Sequence, residues 1–431
     1  MSIFLLIIVG LILLYSVYKQ DVGVFACFSI LFFSIAVTLF HAISPALFSL
    51  NAVFHVGAFL VLLVWQFNYY SWKTVLRFIT NPVILSILSI SVIIYLYNGY
   101  SPYYYTYKTI IDTNQLNFYT KVLFPLLILP MMVPDSFSRR NLMAYVPLWG
   151  VIYLGTFLTS FTVSSNVLSD RMMLSESSEG ITSSITLSRI FAVAVIASFI
   201  TLISKKNSGF DKIIYSGLTL LFLAILLIAG QRGTFIGLAI ALMLLMIREE
   251  WRHHSFTILF LVVIGILFAV TFIDFGKLEM FQRFAQFQNI ESFERYHDFF
   301  KTWNIFKDNN YFWGLGTLGY HFKTGRPYPH NIVLEHISDY GLAGLVCISV
   351  LLFFCIKYVV KIIKYSNDGA GLAIACSWVV LCFSAMVSSS LLNHQLFYTF
   401  SGLLVLTYQD FKSSLEEQEY KEALFESQQN N

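Results

Sequence analysis

Three arginines stand out because their side chains are costly where the sequence places them. Arg189 and Arg232 lie inside or at the end of long apolar runs, and Arg171 lies in a polar stretch shortly before Arg189. A charged side chain at the centre of a membrane-spanning helix costs about 3 kcal/mol, so such residues usually line a cavity or a path. One planar guanidinium group can bind two phosphate oxygens at once, and a cluster of guanidinium groups therefore suits a phosphate or pyrophosphate.

The alternative interpretation of these arginines needs no ligand. Their long side chains could extend to lipid headgroups or pair with nearby carboxylates. Arg171 has Asp170 beside it and Glu176 and Glu179 a few residues on. Arg189 and Arg232 have no acidic neighbour close in the sequence. Binding of an anionic ligand is therefore favoured more strongly for these two arginines than for Arg171.

A histidine follows two prolines in the stretch Pro327-Tyr328-Pro329-His330-Asn331. The prolines stiffen the approach, and an apolar run begins soon afterwards, so His330 is expected at the membrane surface. Histidine is the usual proton acceptor for a hydroxyl nucleophile near neutral pH. The alternative is a structural histidine that caps the following helix. His336 is the weaker candidate, and His297, His321 and His394 show no partner in the sequence.

The composition indicates which elements must position these residues. Of the 431 residues 57% are hydrophobic and only 12% are charged, and the mean hydropathy is +0.71. These values exclude a soluble globular enzyme, a disordered chain and a disulfide scaffold. The net charge of +3 is too small to indicate a nucleic-acid partner. We expect an all-α polytopic membrane protein.

Apolar runs of about 20 residues predict the membrane-spanning helices. The sequence contains thirteen such runs. Twelve or eleven spans are the alternatives, because the connections between the first two runs and between the last two runs are very short. The first run, 2–18, is interpreted as a retained span, since it has no basic segment before it and no cleavage site. Thirteen spans are predicted near 2–18, 22–40, 48–68, 81–98, 119–134, 142–161, 184–204, 213–230, 233–248, 255–273, 341–360, 369–388 and 394–408.

Lysine and arginine in alternate loops predict the orientation, because basic loops stay in the cytoplasm. The acidic tail 409–431 falls on the same side, and thirteen spans put the N-terminus outside. The long loop 274–340 is then external, and its aromatic residues at helical spacing over 281–306 predict an amphipathic helix on the outer membrane face. The basic loop residues are Lys19, Lys73, Arg77, Arg139, Arg140, Lys205, Lys206, Lys212, Arg248, Arg252, Lys357, Lys361 and Lys364.

These boundaries divide the chain into four parts. We predict a bundle of about ten spans over 1–273, an external catalytic loop over 274–340, further spans over 341–408, and a cytoplasmic tail over 409–431. All five cysteines lie inside apolar runs without metal-ligand spacing, so neither a disulfide nor a metal site is expected.

A succession of short motifs in the second half of the chain carries a family pattern. Gly230-Gln231-Arg232-Gly233-Thr234 comes first, and the run from Arg295 to Phe306 leads to Asn309-Asn310-Tyr311-Phe312-Trp313-Gly314-Leu315-Gly316. Pro329-His330-Asn331 and Tyr340-Gly341-Leu342 follow. The succession resembles the O-antigen ligase and polymerase superfamily, the Wzy-type membrane glycosyltransferases, over roughly 215–350. Tyr311 stands where the family often has proline.

The resemblance implies a GT-C-like fold, a metal-independent glycosyltransferase without a cofactor, and an active site facing the periplasm. The implied substrates are oligosaccharides on undecaprenyl pyrophosphate. Among the matching positions, His330 would activate the acceptor hydroxyl and Arg232 would contact the pyrophosphate. The second essential arginine of the family is either Arg189 or Arg171. Tyr328, Asn331, Arg295 and Arg171 are expected among the substrate-binding residues.

Three functions compete on this reading. The first is a polymerase of lipid-linked repeat units in the inner membrane, favoured by the apolar, Phe- and Tyr-rich composition. The second is a ligase that transfers the finished chain to the lipid A core. The third is a lipid-linked oligosaccharide flippase, although the sequence shows neither paired broken spans nor an internal repeat. Besides its lipid-linked substrates and membrane lipid, a polymerase is expected to have a chain-length regulator protein as a partner.

Overall fold

A computed structural model describes eleven parts of the chain. They are residues 72–97, 101–131, 133, 135–160, 184–203, 209–228, 232–248, 294–308, 311–387, 391 and 394–429. The predicted spans near 2–18, 22–40, 48–68 and 255–273 lie outside these residues, as does Arg171.

These parts of the chain are helical and contain no strand, which confirms an all-α polytopic membrane protein. The helices are α1 Trp72–Ile79, α2 Pro82–Tyr97, α3 Tyr104–Phe118, a π-helical turn Tyr119–Leu123, α4 Phe124–Met131, α5 Ser136–Ser160, α6 Ser184–Ile203, α7 Gly209–Ile228, α8 Arg232–Leu245, α9 Glu294–Asp308, α10 Gly319–Thr324, α11 Ile332–Tyr365, α12 Gly369–Val387 and α13 Gln395–Gln429.

Each predicted span that falls within the described residues coincides with helical structure. Three of the described helices are long and apolar enough to cross a membrane, or up to four if the bent pair of α1 and α2 forms one span. The sequence prediction of twelve to thirteen spans and the four-part division of the chain stay predictions.

Helix α12 forms the centre of the bundle. It is apolar on all sides, as expected for a helix surrounded by other helices, and it packs against α6, α8, α11 and α13. A glycine lets α8 approach it closely, because a Cβ added at Gly237 would lie only 2.9 Å from Val380 Cα. This close packing brings the polar residues at the start of α8 against α12.

Two helices extend further than the hydropathy predicted. Helix α11 begins at Ile332, well before the predicted start at Gly341, and Gly341 is instead a break with φ 59° and ψ −145°. Polar residues between these positions, such as Ser338 and Asp339, lowered the hydropathy there. Helix α13 continues to Gln429, far beyond the predicted end of the last span at 408.

A buried arginine joins α5 to α13 at the end of the bundle that the charge rule assigns to the cytoplasm. Arg139 is only 2% exposed, and it forms an ion pair with Asp410. Its Nη1 also donates to the carbonyl oxygen of Val133 at 3.1 Å. These contacts satisfy a guanidinium that the sequence placed in a simple basic loop.

Candidate active site

Arg189 lies inside the bundle, on the first half of α6, and is 2% exposed. Its Nε donates a hydrogen bond of 2.8 Å to Ser384 Oγ on α12. A buried guanidinium is stable only where polar groups or an anion surround it. The hydrogen bond fixes the plane of the guanidinium, and a fixed plane is what paired recognition of phosphate oxygens requires.

Three hydroxyl groups form a cluster beside Arg189. Thr234 Oγ1 on α8 donates to Ser384 Oγ at 3.3 Å, and it lies 3.3 Å from Ser188 Oγ on α6. All three side chains are buried. The cluster therefore joins α6, α8 and α12 at one point. Sequence reasoning missed these hydroxyls, although serine and threonine beside arginines in apolar runs were the available signal.

His330 sits in a strained turn immediately before α11. Its φ is +56°, which is uncommon for a residue other than glycine. Its ring meets the ring of Tyr328 edge to face, with the centroids 4.7 Å apart. Strain of this kind costs on the order of 1–3 kcal/mol and tends to occur at functional sites. The turn presents the His330 ring at the N-terminal end of α11.

Asn331, and not His330, caps the helix. Asn331 Oδ1 accepts hydrogen bonds from the backbone N–H groups of Val333 at 2.9 Å and Leu334 at 3.1 Å. These are the donors that an N-terminal cap satisfies. The cap thus fills the structural role considered for His330 in the alternative interpretation, so that role does not require the imidazole.

Two side chains tie this turn to the far end of α12. Asn331 Nδ2 donates to the carbonyl oxygen of Met386 at 2.8 Å. Glu335 Oε2 accepts a hydrogen bond of 2.7 Å from the backbone N–H of Leu391. Because Met386 lies close to Ser384 on α12, these contacts fix the His330 turn relative to the partner of Arg189. Sequence reasoning missed Glu335.

Tyr328 connects the two halves of the site electrostatically. Burial raises the pKa of its phenol, the nearby Glu335 carboxylate raises it further, and the nearby Arg189 guanidinium opposes both effects. The phenol therefore stays protonated and able to donate a hydrogen bond near neutral pH. Tyr328 lies near Arg189 and Glu335 and contacts His330, so four polar side chains share one end of the bundle.

For the three remaining predicted site residues, the structure describes the backbone of two, Arg232 and Arg295, and does not describe Arg171. Arg232 is the first residue of α8, two positions before Thr234, and this brings its backbone to the hydroxyl cluster. Arg295 lies in the first turn of α9. The structure does not describe the side chains of these two arginines. Arg171 lies outside the described residues.

A glycine turn docks into the break of α11. Gly314 has φ +72° and Gly341 has φ +59°, and a Cβ added at either would lie 2.6 Å from the backbone nitrogen of the other. Only glycine permits both the backbone conformations and the close approach. The Trp313-Gly314-Leu315-Gly316 motif therefore has a structural role, because it supports the start of the membrane-spanning part of α11.

Four backbone hydrogen bonds close this junction. Leu315 and Gly316 donate to the carbonyl oxygens of Ser338 and Asp339 at 3.1 and 2.7 Å. In the opposite direction, the N–H groups of Leu342 and Ala343 donate to Tyr311 and Phe312 at 2.8 and 3.1 Å. The break in α11 would otherwise leave these groups unsatisfied in a buried region.

The outer end of α2 holds the same turn from the other side. Tyr97 Oη donates to the carbonyl oxygen of Gly314 at 3.2 Å, and Ser101 Oγ donates to that of Leu315 at 2.7 Å. The ring of Tyr97 also stacks on Trp313, with the centroids 5.9 Å apart. The glycine turn is thus clamped between α2 and α11.

A buried carboxylate attaches α9 to the segment that leads to His330. Asp298 Oδ1 accepts a hydrogen bond of 2.7 Å from Tyr320 Oη, and Arg326 Nη1 lies 2.9 Å from the same oxygen. Burial, followed by the hydrogen bond to Asp298, raises the pKa of Tyr320. Since Arg326 comes directly before Pro327, these contacts set where the proline-rich segment starts.

Helix α9 corresponds to the end of the amphipathic stretch predicted over 281–306, whose earlier part lies outside the described residues. Asp298, Thr302 and Ile305 form its buried face. Phe299, Phe300 and Trp303 are between 43% and 49% exposed and lie on the adjacent sides. This arrangement suits a helix at a membrane surface, with its aromatic side toward lipid.

Within the described residues, no group of three or more His, Cys, Asp and Glu side chains could hold a metal ion. The described residues of the site offer guanidinium, imidazole, phenol, carboxyl and hydroxyl groups. Such groups can bind an anion, orient a hydroxyl group and accept its proton.

Comparison with known proteins bears on the part of the chain that builds this site. Residues 217–349 match the family model described as O-Antigen ligase. The matched segment includes α8, α9, the glycine turn, His330 and the break in α11. A search of curated proteins gives no match to the chain. The match over 217–349 supports the resemblance of this part of the chain to the O-antigen ligase and polymerase superfamily.

Proposed function

We propose that the protein is a glycosyltransferase of the inner membrane that polymerises undecaprenyl-pyrophosphate-linked oligosaccharide repeat units at the periplasmic face. Enzymes of its family act on O-antigen and its lipid-linked precursors. The observation that carries the proposal is the convergence of Arg189, Tyr328, His330 and Glu335 at one end of the bundle. A cation for a pyrophosphate and a base for a hydroxyl are the two groups that this reaction needs.

In the proposed reaction, the acceptor hydroxyl oxygen attacks the anomeric carbon of the donor sugar. The bond from that carbon to the pyrophosphate oxygen breaks, and its electron pair leaves with undecaprenyl pyrophosphate. His330 takes the proton of the attacking hydroxyl. Guanidinium groups stabilise the negative charge that grows on the leaving pyrophosphate, so the step proceeds without a nucleoside diphosphate or a divalent cation.

The described contacts support a proposed role for each side chain. Arg189 is proposed as a pyrophosphate contact, and its hydrogen bond to Ser384 holds its guanidinium in place. Arg232 is proposed as a second contact, since its helix starts at the hydroxyl cluster. Tyr328 donates a hydrogen bond to substrate oxygens between the base and the guanidinium. Asn331 keeps the base in place through the helix cap.

Polymerase and ligase share these groups, so the acceptor decides between them. The strongly apolar composition, with 42 phenylalanines and 25 tyrosines, supports the polymerase. A chain-length regulator protein is then proposed as a partner. In a strain that lacks the protein, we expect lipopolysaccharide that carries a single capped repeat unit.

An assay with purified protein separates the candidate functions directly. Purified lipid-linked repeat unit, incubated with the protein in chelator, should give a ladder of lipid-linked polymers without any lipid A core. Product that appears only after lipid A core is added would show a ligase and overturn the polymerase. Movement of the lipid between leaflets without a new glycosidic bond would show a flippase.

A further inference from the structure

Helix α1 carries an apolar face that the described part of the protein leaves uncovered. Trp72, Leu76 and Ile79 are 80%, 63% and 38% exposed, and their spacing places all three on one side of the helix. Phe78 is buried and points toward the bundle. The exposed apolar face is thus distinct from the face that holds α1 to the protein.

An adjacent side of the same short helix is basic. Lys73 and Arg77 are exposed and lie four residues apart, so they are neighbours on one face. Going round the helix, Phe78 faces protein, Trp72 and Leu76 face outward, and the two cations follow. A helix with aromatic and aliphatic residues on one face and Lys and Arg on the other lies in a membrane interface.

The angle of α1 agrees with that placement. The helix is bent by 67° from α2, the apolar helix that coincides with the predicted span near 81–98. Spans tilt by about 20° on average from the bilayer normal, so a helix bent this far from one lies close to the membrane plane.

Asn81, in the break itself, and side chains of α11 and α13 fix the bend. Asn81 Oδ1 accepts a hydrogen bond of 3.0 Å from the N–H of Val83, which caps α2. Asn81 Nδ2 donates to Tyr358 Oη on α11 at 3.0 Å. Gln409 Nε2 on α13 donates to the carbonyl oxygen of Arg77 at 3.0 Å. The angle between α1 and α2 is therefore built into the fold.

The charge of this end of the bundle identifies the membrane leaflet. The bond to Tyr358 places α1 beside the last turns of α11, which carry Lys357, Lys361 and Lys364. Basic loops stay in the cytoplasm, and the cytoplasmic leaflet is anionic. The lipid that faces α1 is therefore the negatively charged inner leaflet.

We propose that α1 is an in-plane anchor that inserts Trp72, Leu76 and Ile79 between the lipids of the inner leaflet and places Lys73 and Arg77 on anionic headgroups. Helix α2 connects the anchor to the candidate site. Helix α2 has 16 residues and so spans about 24 Å, and at its outer end Tyr97 supports the glycine turn. The proposal is independent of the reaction that the protein catalyses.

Spin labelling tests the depth of the helix. The parent protein lacks its native cysteines and must have the same thermal unfolding temperature as the wild type. Leu76→Cys and Lys73→Cys are made separately in this parent, labelled with a nitroxide and studied in nanodiscs. We expect the label at 76 to be accessible to oxygen and shielded from a water-soluble nickel complex, and the label at 73 to show the reverse. Nickel access at 76, or shielding from both reagents because protein covers the face, would overturn the anchor.

Lipid selectivity tests the basic face. Each basic side chain close to an anionic surface favours binding by about fivefold. With spin-labelled phosphatidylglycerol and phosphatidylcholine, the double variant K73Q/R77Q should therefore show a several-fold lower preference for phosphatidylglycerol. The control is K421Q, since this lysine pairs with Glu417 further along the exposed end of α13 and should have no effect. Unchanged preference in K73Q/R77Q would overturn the anionic contact.

Discussion

Arg189 on α6 donates from Nε to Ser384 Oγ on α12 across 2.8 Å, although 195 residues separate the two in the chain. The same serine accepts from Thr234, the third residue of α8. One hydroxyl therefore fixes the guanidinium to the central helix and to the helix that Arg232 begins. The proposed pyrophosphate site depends on this arrangement.

The first prediction concerns that hydrogen bond. Replacing Arg189 by Ala should abolish chain growth at a normal protein level, and Lys should restore only part of it, because a point charge cannot reproduce the guanidinium fork. Ser384→Ala should lower the rate by about tenfold to a hundredfold, the range for losing a hydrogen bond to a charged group. The measurement is polymer formed from purified lipid-linked repeat unit.

A control for Ser384→Ala lies on the same helix. Ser377 is buried on α12, and its hydroxyl has no hydrogen-bond partner in the described structure, so Ser377→Ala should leave the rate nearly unchanged. Equal loss in both variants would mean that α12 tolerates no change, and full activity of Arg189→Ala would remove that residue from the site.

The second prediction concerns the remaining arginines. Arg232→Ala should abolish chain growth, and Arg232→Lys should recover part of it, as for Arg189. Arg171→Ala should retain activity if Arg189 is the second essential arginine of the family. Gel analysis of lipopolysaccharide from complemented deletion strains measures this. Loss of the ladder with Arg171→Ala but not with Arg189→Ala would transfer the role to Arg171.

The third prediction concerns the break in α11. Gly341→Ala would place a Cβ 2.6 Å from Gly314 N and from the carbonyl oxygen of Tyr311, in a backbone conformation that favours glycine. We expect a clear fall in thermal unfolding temperature in detergent and loss of chain growth, because the backbone conformation alone costs about 1–3 kcal/mol. An unfolding temperature equal to the wild type would contradict the docking of the glycine turn.

Gly325 provides the matched control for that experiment. Its φ is also positive, at +71°, but nothing lies within 4 Å of an added Cβ. Gly325→Ala therefore introduces the milder cost of a left-handed residue, with φ 71° and ψ 0°, without a collision, and it should lower stability by only about 1–2 kcal/mol. A larger loss of stability at Gly341 would then reflect both its close approach to Gly314 and a backbone conformation, φ 59° and ψ −145°, that essentially only glycine adopts.

The fourth prediction is the topology. Single cysteines over 285–325 should react with a membrane-impermeant reagent from the periplasm, and those at 207 and 365 only from the cytoplasm, because the basic residues occupy alternate loops. Labelling of position 300 from the cytoplasm would separate His330 from the periplasmic substrates and contradict the proposed site.

The sequence predicted the parts of this fold that depend on local pattern. Apolar runs located the helices, and Pro327 to Asn331 located the turn before α11. It did not predict that Arg189 meets Ser384, since a contact between two spans leaves no periodic signal in either. It placed the start of the eleventh span at Gly341, where α11 has its break, but it did not predict that the helix before the break and the span after it form one continuous element from Ile332.

The final prediction concerns His330 as the base. His330→Ala should lower the rate by roughly a hundred- to ten-thousandfold, the usual share of a positioned general base. His330→Gln should be nearly as inactive, because an amide keeps a hydrogen bond but not the basicity. Protein level and insertion should not change, since Asn331 caps α11.

The pH dependence of the rate is a second test of His330 as the base. The wild-type rate should fall on the acid side as the imidazole protonates. Tyr328 does not add to this limb, because its raised pKa keeps the phenol neutral there. Glu335 and Asp339 are carboxyl groups close to the turn, so the acid limb should persist in Glu335→Gln and in Asp339→Asn if it belongs to His330.

The most direct measurement is the rate of His330→Gln relative to the wild type, with purified lipid-linked repeat unit in chelator across acid and neutral pH. We predict that the variant is slower by at least about a hundredfold at neutral pH. A near-normal rate, or wild-type activity that holds or rises toward acid pH, would show that His330 positions the acceptor or binds a phosphate as a cation. Either result would contradict the base assignment.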